Sequence, residues 1–345
     1  MTNRADELID LVYGELPPLG ARDQNWRYGS PVGEPKLLEW IAKLLEVDEA
    51  NVAITAGATM ALVTLASIYR SRLFLLPRPY YPGYLGILAA LGVEYEFYDI
   101  SPEYIDVDRI KDKAIQRSTV VIWNFPHNPT GIVAKQESIE ALSEVISTTD
   151  LIVICDEVYR PLLYSDSARF LSTRMLESDN VYFVGSFSKV WSLAGERVGW
   201  IVTSHKNKDA FVKVTRRLTM ATSVASQLTA LQVALETPRV QILEEMTRRR
   251  NAIVEKVSQD NSFELTPPQG GIFAWIEIRS PVIKRIGALR FAKLLQQLGI
   301  RLPSGEEFGA SYSFLRMPFS TTDSLHAIDR ISVAMQHISK LELSR

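Results

Sequence analysis

The chain of 345 residues contains one cysteine, Cys155, and four histidines. A single thiol excludes any disulfide within the chain, and its place inside an apolar run reads as a small buried hydrophobe rather than a reactive group. His127, His205, His326 and His337 fall at no metal-ligand spacing with carboxylates or with the cysteine, so no metal is expected. An excess of one charge is also missing. The 38 basic and 40 acidic residues are interspersed and leave a net charge of −2, which gives no footprint for nucleic acid or an anionic membrane. No apolar run approaches the length that crosses a bilayer, and the start, MTNRADELIDLVYG, lacks the apolar stretch of a secretory signal; the cytoplasm is therefore the expected compartment. Internal repeats and low-complexity linkers are absent as well.

What the chain does have is 46% hydrophobic and 23% charged residues, a globular balance, and enough length for two lobes or one large domain. Apolar strands alternate with helical patterns from about residue 36 to 205. The strands are Val52–Thr55, RLFLLP, VEYEFYDI, the run Val120-Val121-Ile122-Trp123, the run Leu151-Ile152-Val153-Ile154-Cys155, and VYFVGS. This alternation predicts an α/β fold with a mostly parallel central sheet covered by helices on both faces. Beyond Lys206 the pattern is helical to roughly residue 259. A smaller α+β lobe follows, with strand-like FELTPP and GGIFAWIEI, the helix IGALRFAKLLQQLG, a strand bearing Arg316 and a last helix near residues 323 to 342. The expected division is an amino-terminal segment 1–27 packing with the small domain, a large domain 28–237 and a small domain 238–345.

The chemistry-bearing residues cluster in short motifs. In SFSKVWSLAGERVGW, Lys189 follows Ser186 and Ser188, and Arg197 lies eight residues on. Polar neighbours and a nearby cation lower an amine's pKa and make it a useful imine-forming nucleophile, while two hydroxyls and a guanidinium can grip a phosphate. Pyridoxal phosphate offers both handles, although a bare S-x-S-K is equally at home in a solvated loop. Asp156 ends its apolar run, at the strand terminus where open α/β sheets bind ligands; a turn cap is the plainer alternative. Asn128 sits between Pro126 and Pro129, which fix the backbone around it, as they would in any rigid turn. Gly57, Ala58 and Thr59 open a helical stretch and form a candidate phosphate cradle, though small residues there also serve packing. Arg316 offers a bidentate grip for a carboxylate, or is a solvated strand-edge arginine. Turn packing is the expected role of His127.

Taken in order, these motifs resemble the class I/II aminotransferases, the fold-type I pyridoxal phosphate enzymes, over most of the chain from about Gly14 to Arg316. The resemblance implies that Lys189 carries the cofactor as a Schiff base and then acts as general base at the substrate's Cα. It implies that Asp156 pairs with the pyridine nitrogen, that Tyr159 bonds the phenolic oxygen and that Tyr81, in LLPRPYYPGY, stacks on the ring. Asn128 would touch the cofactor and the substrate carboxylate, and Arg316 would clamp that carboxylate. Tyr28, in RYGSPVGEP, resembles a tyrosine that reaches the phosphate of a neighbouring subunit, which implies a homodimer with shared sites. Gly14 resembles the glycine of a substrate loop.

Tyr80 and Tyr84 are expected in the core or pocket wall, and Trp191 with the Tyr80-Tyr81 pair suggests a partly aromatic pocket. Arg216 and Arg217 read as a solvated helix face. The expected activity is a ping-pong exchange of an amino group between an L-amino acid and a 2-oxo acid. The segment between Gly14 and Tyr28 is shorter than in the family, which leaves elimination, cyclisation or decarboxylation on the same fold as an alternative. A cofactor-sensing regulator is the third reading; it calls for a helix-turn-helix domain, and the family-like core begins almost at Met1.

Overall fold

A computed structural model describes residues 28–164, 170, 179–297, 299–321 and 323–343. Its large sheet has seven strands: β1 (Val52–Thr55), β2 (Leu73–Arg78), β3 (Tyr95–Asp99), β4 (Thr119–Asn124), β5 (Ile152–Asp156), β6 (Val181–Ser186) and β7 (Gly199–Val202). Their order across the sheet is β1-β7-β6-β5-β4-β2-β3. All adjacent pairs from β6 to β3 are parallel, and β7 runs antiparallel to both of its neighbours. The expectation of a mostly parallel sheet holds, with β7 as an addition. Its four residues follow directly on the Lys189 loop, with no helical segment between to set them apart as a strand.

Why these runs form a doubly covered sheet is visible in their alternation. Val121 and Trp123 of β4, Val153 and Cys155 of β5, and Val181 and Phe183 of β6 join one apolar cluster. Their intervening neighbours Val120, Ile122, Ile152, Ile154, Tyr182 and Val184 join another on the opposite face. Successive strand side chains point to opposite faces, so a strand buried on both sides must be apolar throughout. Each such aliphatic side chain contributes about 1.5–3 kcal/mol by leaving water. One layer includes α1 (Pro35–Leu45), α4 (Val107–Gln116) and α5 (Gln136–Thr148); the other is built on α2 (Gly57–Ile68) and α3 (Pro82–Leu91), with α7 (His205–Thr219) packed on α2.

The turn α6 (Phe187–Val190) precedes β7, and α8 (Val224–Glu236) and α9 (Arg239–Ser258) lead to a second, antiparallel sheet ordered β10-β9-β8. Its strands are β8 (Phe263–Leu265), β9 (Phe273–Ile278) and β10 (Phe314–Pro318). A separate core containing Ile276, Phe291, Leu315 and Ile331 lies against this sheet. The helix expected over IGALRFAKLLQQLG is broken at Gly287, whose φ of 78° separates α10 (Pro281–Ile286) from α11 (Ala288–Gln297). Helix α12 (Ser324–Leu343) closes the described chain, and no described helix is long and apolar enough to cross a membrane.

Candidate active site

Strand register brings the chemistry to one edge of the large sheet. Asn124 pairs with Asp156 at the ends of β4 and β5, and Gly199 pairs with both Thr55 and Ser186. The ends of β1, β4, β5 and β6 therefore open on a common cavity of about 370 Å3, completed from the second sheet by Phe273 and Arg316. Of the residues expected from the sequence, Ala58, Thr59, Tyr81, Asn128, Asp156, Tyr159, Ser186, Ser188, Lys189, Arg197 and Arg316 all line it.

At one end of the cavity is a candidate anion cradle. Ala56 precedes α2 without offering a side-chain acceptor, so the first-turn N–H groups of this twelve-residue helix lack a side-chain cap. Arg197 stands over that turn. A Cβ on Gly57 would lie 2.5 Å from its Nη2, so the missing side chain makes room for the guanidinium; Gly57 also has φ of 75°. Arg197 itself takes a left-handed backbone, φ 55°, which is uncommon for a residue with a Cβ. Gly199 allows β7 to approach: a Cβ there would fall 2.7 Å from Ala58 N. Ser186 Oγ accepts from Ser188 N at 3.0 Å, lies 3.1 Å from the Val198 carbonyl and 2.8 Å from Ser188 Oγ, which orders the hydroxyl pair beside the lysine.

Lys189 opens into the cavity, yet the protein crowded around it pushes its ammonium below the ordinary lysine value. Arg316 and Arg197 push in the same direction, and Asp156 opposes them. Asp156 is 5% exposed, and burial raises its carboxyl. Tyr84 OH donates to its Oδ2 at 2.6 Å, a contact that makes Tyr84 more than the pocket wall expected from the sequence. Asn124, which the sequence reading passed over, ties two turns together: its Nδ2 donates to the Asp156 carbonyl at 2.9 Å and its Oδ1 accepts from Asn128 N at 3.1 Å. An asparagine at a strand end, four residues before a functional one, was the available signal.

Arg316 Nη1 donates to Asn128 Oδ1 at 3.0 Å. Its guanidinium carbon lies 4.1 Å from the centre of the Phe273 ring and 4.7 Å from that of Phe308, and Nε has no partner among the described residues. Burial lowers its pKa from the usual arginine value, but a guanidinium remains charged. Tyr159 is buried edge-on to Phe273, and burial raises its phenol. His127 is buried behind the turn, 2.8 Å from Thr130 Oγ1 through Nδ1, and desolvation pushes it down to about 3, so it packs as a neutral ring.

Two aromatics lie elsewhere. Trp191 does not face the cavity; it packs on Trp40 and Phe187, with ring centres 5.5 and 5.1 Å away. Two residues on from Lys189 is roughly 200° around a helical turn, which points it into the core instead. Tyr80 stacks on Phe97 with ring centres 5.3 Å apart, beside the cavity rather than in it. Tyr28 is 57% exposed, and Gly14 lies outside the described residues.

A cradle for an anion, an amine depressed below its usual value and a buried acid suit a phosphorylated aldehyde with a ring nitrogen, the cofactor that defines pyridoxal phosphate-dependent enzymes. The sequence pattern of the family described as aminotransferase class I and II matches residues 4–331. The probable aspartate/prephenate aminotransferase of Aquifex aeolicus (strain VF5) is 26% identical over 339 residues, 92% of this chain and 85% of that protein. Solved structures share the fold. The α-aminoadipate aminotransferase of Thermus thermophilus matches with a TM-score of 0.82 at 20% identity, over 92% of this chain and 85% of that one. The aspartate aminotransferase of Thermotoga maritima matches at 0.78 and 24% identity, over 88% and 83%. The chain belongs to the class I and II aminotransferase family, and it is a pyridoxal phosphate-dependent aminotransferase.

Proposed function

We propose that the enzyme exchanges an amino group between a free L-amino acid and a 2-oxo acid by a ping-pong cycle in the cytoplasm, with Lys189 as its catalytic amine. The observation that carries this reading is the meeting of Lys189, Asp156 and the Asn128–Arg316 pair in one cavity. When bound, pyridoxal phosphate supplies an electron sink for charge developing at the substrate's Cα. Lys189 Nζ would hold the cofactor's aldehyde and, as a free amine, would move the proton at Cα; its depressed pKa favours that free form. Asp156 would keep the pyridine nitrogen protonated. Ser186, Ser188, Arg197 and the turn Gly57, Ala58 and Thr59 would hold the phosphate. Tyr81 would pack on the ring and Tyr159 would bond its phenolic oxygen. Arg316 and Asn128 hold the substrate's α-carboxylate, which leaves the side chain to select the donor.

The same reading divides the chain at residues 237 and 238 into two lobes and pairs two copies as a homodimer, with Tyr28 of each protomer serving the site of its partner. The exposure of Tyr28, and of Leu228 and Leu235 on α8, supports a covered face.

The direct test is the absorbance of the purified holoenzyme during anaerobic addition of single L-amino acids, beginning with aspartate, the donor named for several relatives. The expected result is loss of the visible cofactor band with one donor and its return with a 2-oxo acid, both absent in Lys189→Ala. Ammonia release without an aminated cofactor would overturn transamination.

A further inference from the structure

The Asp156 carboxylate has an unequal set of partners. Tyr84 OH donates to Oδ2 at 2.6 Å, whereas Oδ1 has only the Val158 N–H, at 3.5 Å. Asn124 reaches the backbone carbonyl of Asp156 and not its carboxylate. The Tyr84 hydroxyl is thus the one short donor to this acid among the described residues. It is also fixed: Tyr84 is 1% exposed, within the core on the α2 and α3 face of the sheet.

Position in the chain explains how it arrives there. Tyr81 caps α3, Pro82 starts it, and Tyr84 lies three residues beyond Tyr81, one turn along the same face. The two rings meet edge to face, with centres 5.4 Å apart and planes at 87°. A single helical turn therefore presents one aromatic face to the cavity and one hydroxyl to the acid behind it.

We propose that Tyr84 is a positioning residue that holds Asp156 ionised and leaves its Oδ1 for a partner in the cavity. The proposal rests on the reading of Asp156 as the partner of the cofactor's pyridine nitrogen. An acid that is protonated cannot keep that nitrogen charged, so the Tyr84 bond acts on the cofactor through Asp156.

The surrounding charges agree. Burial raises the Asp156 carboxyl, and the Tyr84 bond is the largest influence in the opposite direction, followed by Val158 N–H and the charge of Lys189. Glu157 and Tyr159 are the other titratable groups that feel Asp156, with Cys155 beside it in the strand. None of these donates a hydrogen bond to the carboxylate. Burial and the adjacent Asp156 push the Tyr84 phenol well above its usual value, so it remains a donor throughout the working range and does not serve as a base.

The test is titration of Asp156 in cofactor-free protein by NMR of side-chain-labelled aspartate, with the resonance assigned by Asp156→Asn. Tyr84→Phe keeps the ring and removes the donor. It is expected to move the Asp156 midpoint upward by about one pH unit, a tenfold change in its protonation equilibrium. Replacing Tyr84 alone by a ring-fluorinated tyrosine makes the hydroxyl a stronger donor and is expected to move the midpoint downward, an opposite sign that a packing role does not produce. In the holoenzyme, Tyr84→Phe is expected to lower the pH at which the labelled pyridine nitrogen loses its proton. Superimposable Asp156 titrations in wild type and both variants would overturn the proposal. Binding of pyridoxal phosphate by the wild type is read separately: its failure would sink the functional reading, and the Asp156 titration would still decide the Tyr84 bond.

Discussion

Arg316 and Asn128, 188 positions apart in the chain, meet in a hydrogen bond of 3.0 Å that joins the small sheet to the turn after β4. The carbonyl of the amide is engaged by the arginine, which leaves its N–H2 group for another partner. The guanidinium lies over the rings of Phe273 and Phe308, and the Phe308 carbonyl accepts from Tyr80 N at 3.0 Å. The two residues proposed to hold the substrate thus also join the two sheets.

Arg316→Lys keeps the charge and loses the planar fork and the guanidinium's contact with the two rings. The expected result is a fall in kcat/KM of ~10²-fold or more, as for loss of a paired, charge-assisted contact, with cofactor absorbance unchanged. Steady-state kinetics beside a cofactor titration separates the two effects.

Because folding depresses the pKa of Lys189, the unfolded chain binds more protons there over the window between its native and ordinary values. Stability from this site therefore rises with pH across that window, and below it the buried ammonium is a net cost. Lys189→Met is expected to raise the Tm of the cofactor-free protein at neutral pH, by an amount that shrinks as pH climbs through the ordinary lysine range. A gain that is independent of pH would show that the charge is not its source.

Gly57→Ala places a Cβ 2.5 Å from Arg197 Nη2 at a residue with φ of 75°. The backbone change costs on the order of 1 kcal/mol, and the displaced guanidinium weakens the anion cradle. Denaturant unfolding of the cofactor-free form and a phosphate or cofactor titration should both register it.

Asn124→Ala orphans the Asp156 carbonyl and the Asn128 N–H, both in buried surroundings. About 1–3 kcal/mol of stability per unpaired group is expected to be lost, with slower turnover from a loosened Asn128. Asn124→Asp retains an acceptor for Asn128 and should recover part of the stability, a comparison that urea unfolding can make.

Local order in the chain determined much of this protein. Continuous apolar runs could be buried only between two layers of helices, and Asp156 and the turn bearing Asn128 had to fall where those runs end. The serine-lysine-arginine spacing marked a candidate cofactor-binding loop, and its residues line the cavity. What the order could not express was direction and distance. Trp191, two residues from Lys189, went to the core because a helical turn rotates it away from the cavity. Tyr84 became the donor to Asp156 because α3 lies across the sheet, 72 positions from that acid in sequence. The antiparallel β7 and the break at Gly287 came from pairing and backbone geometry that short segments do not signal. Only the packing of two sheets could bring Arg316 to Asn128 and add its charge to that of the sequence-local Arg197 beside the lysine, since electrostatic and hydrogen-bond energies depend on separation in space, to which separation along the chain is no guide.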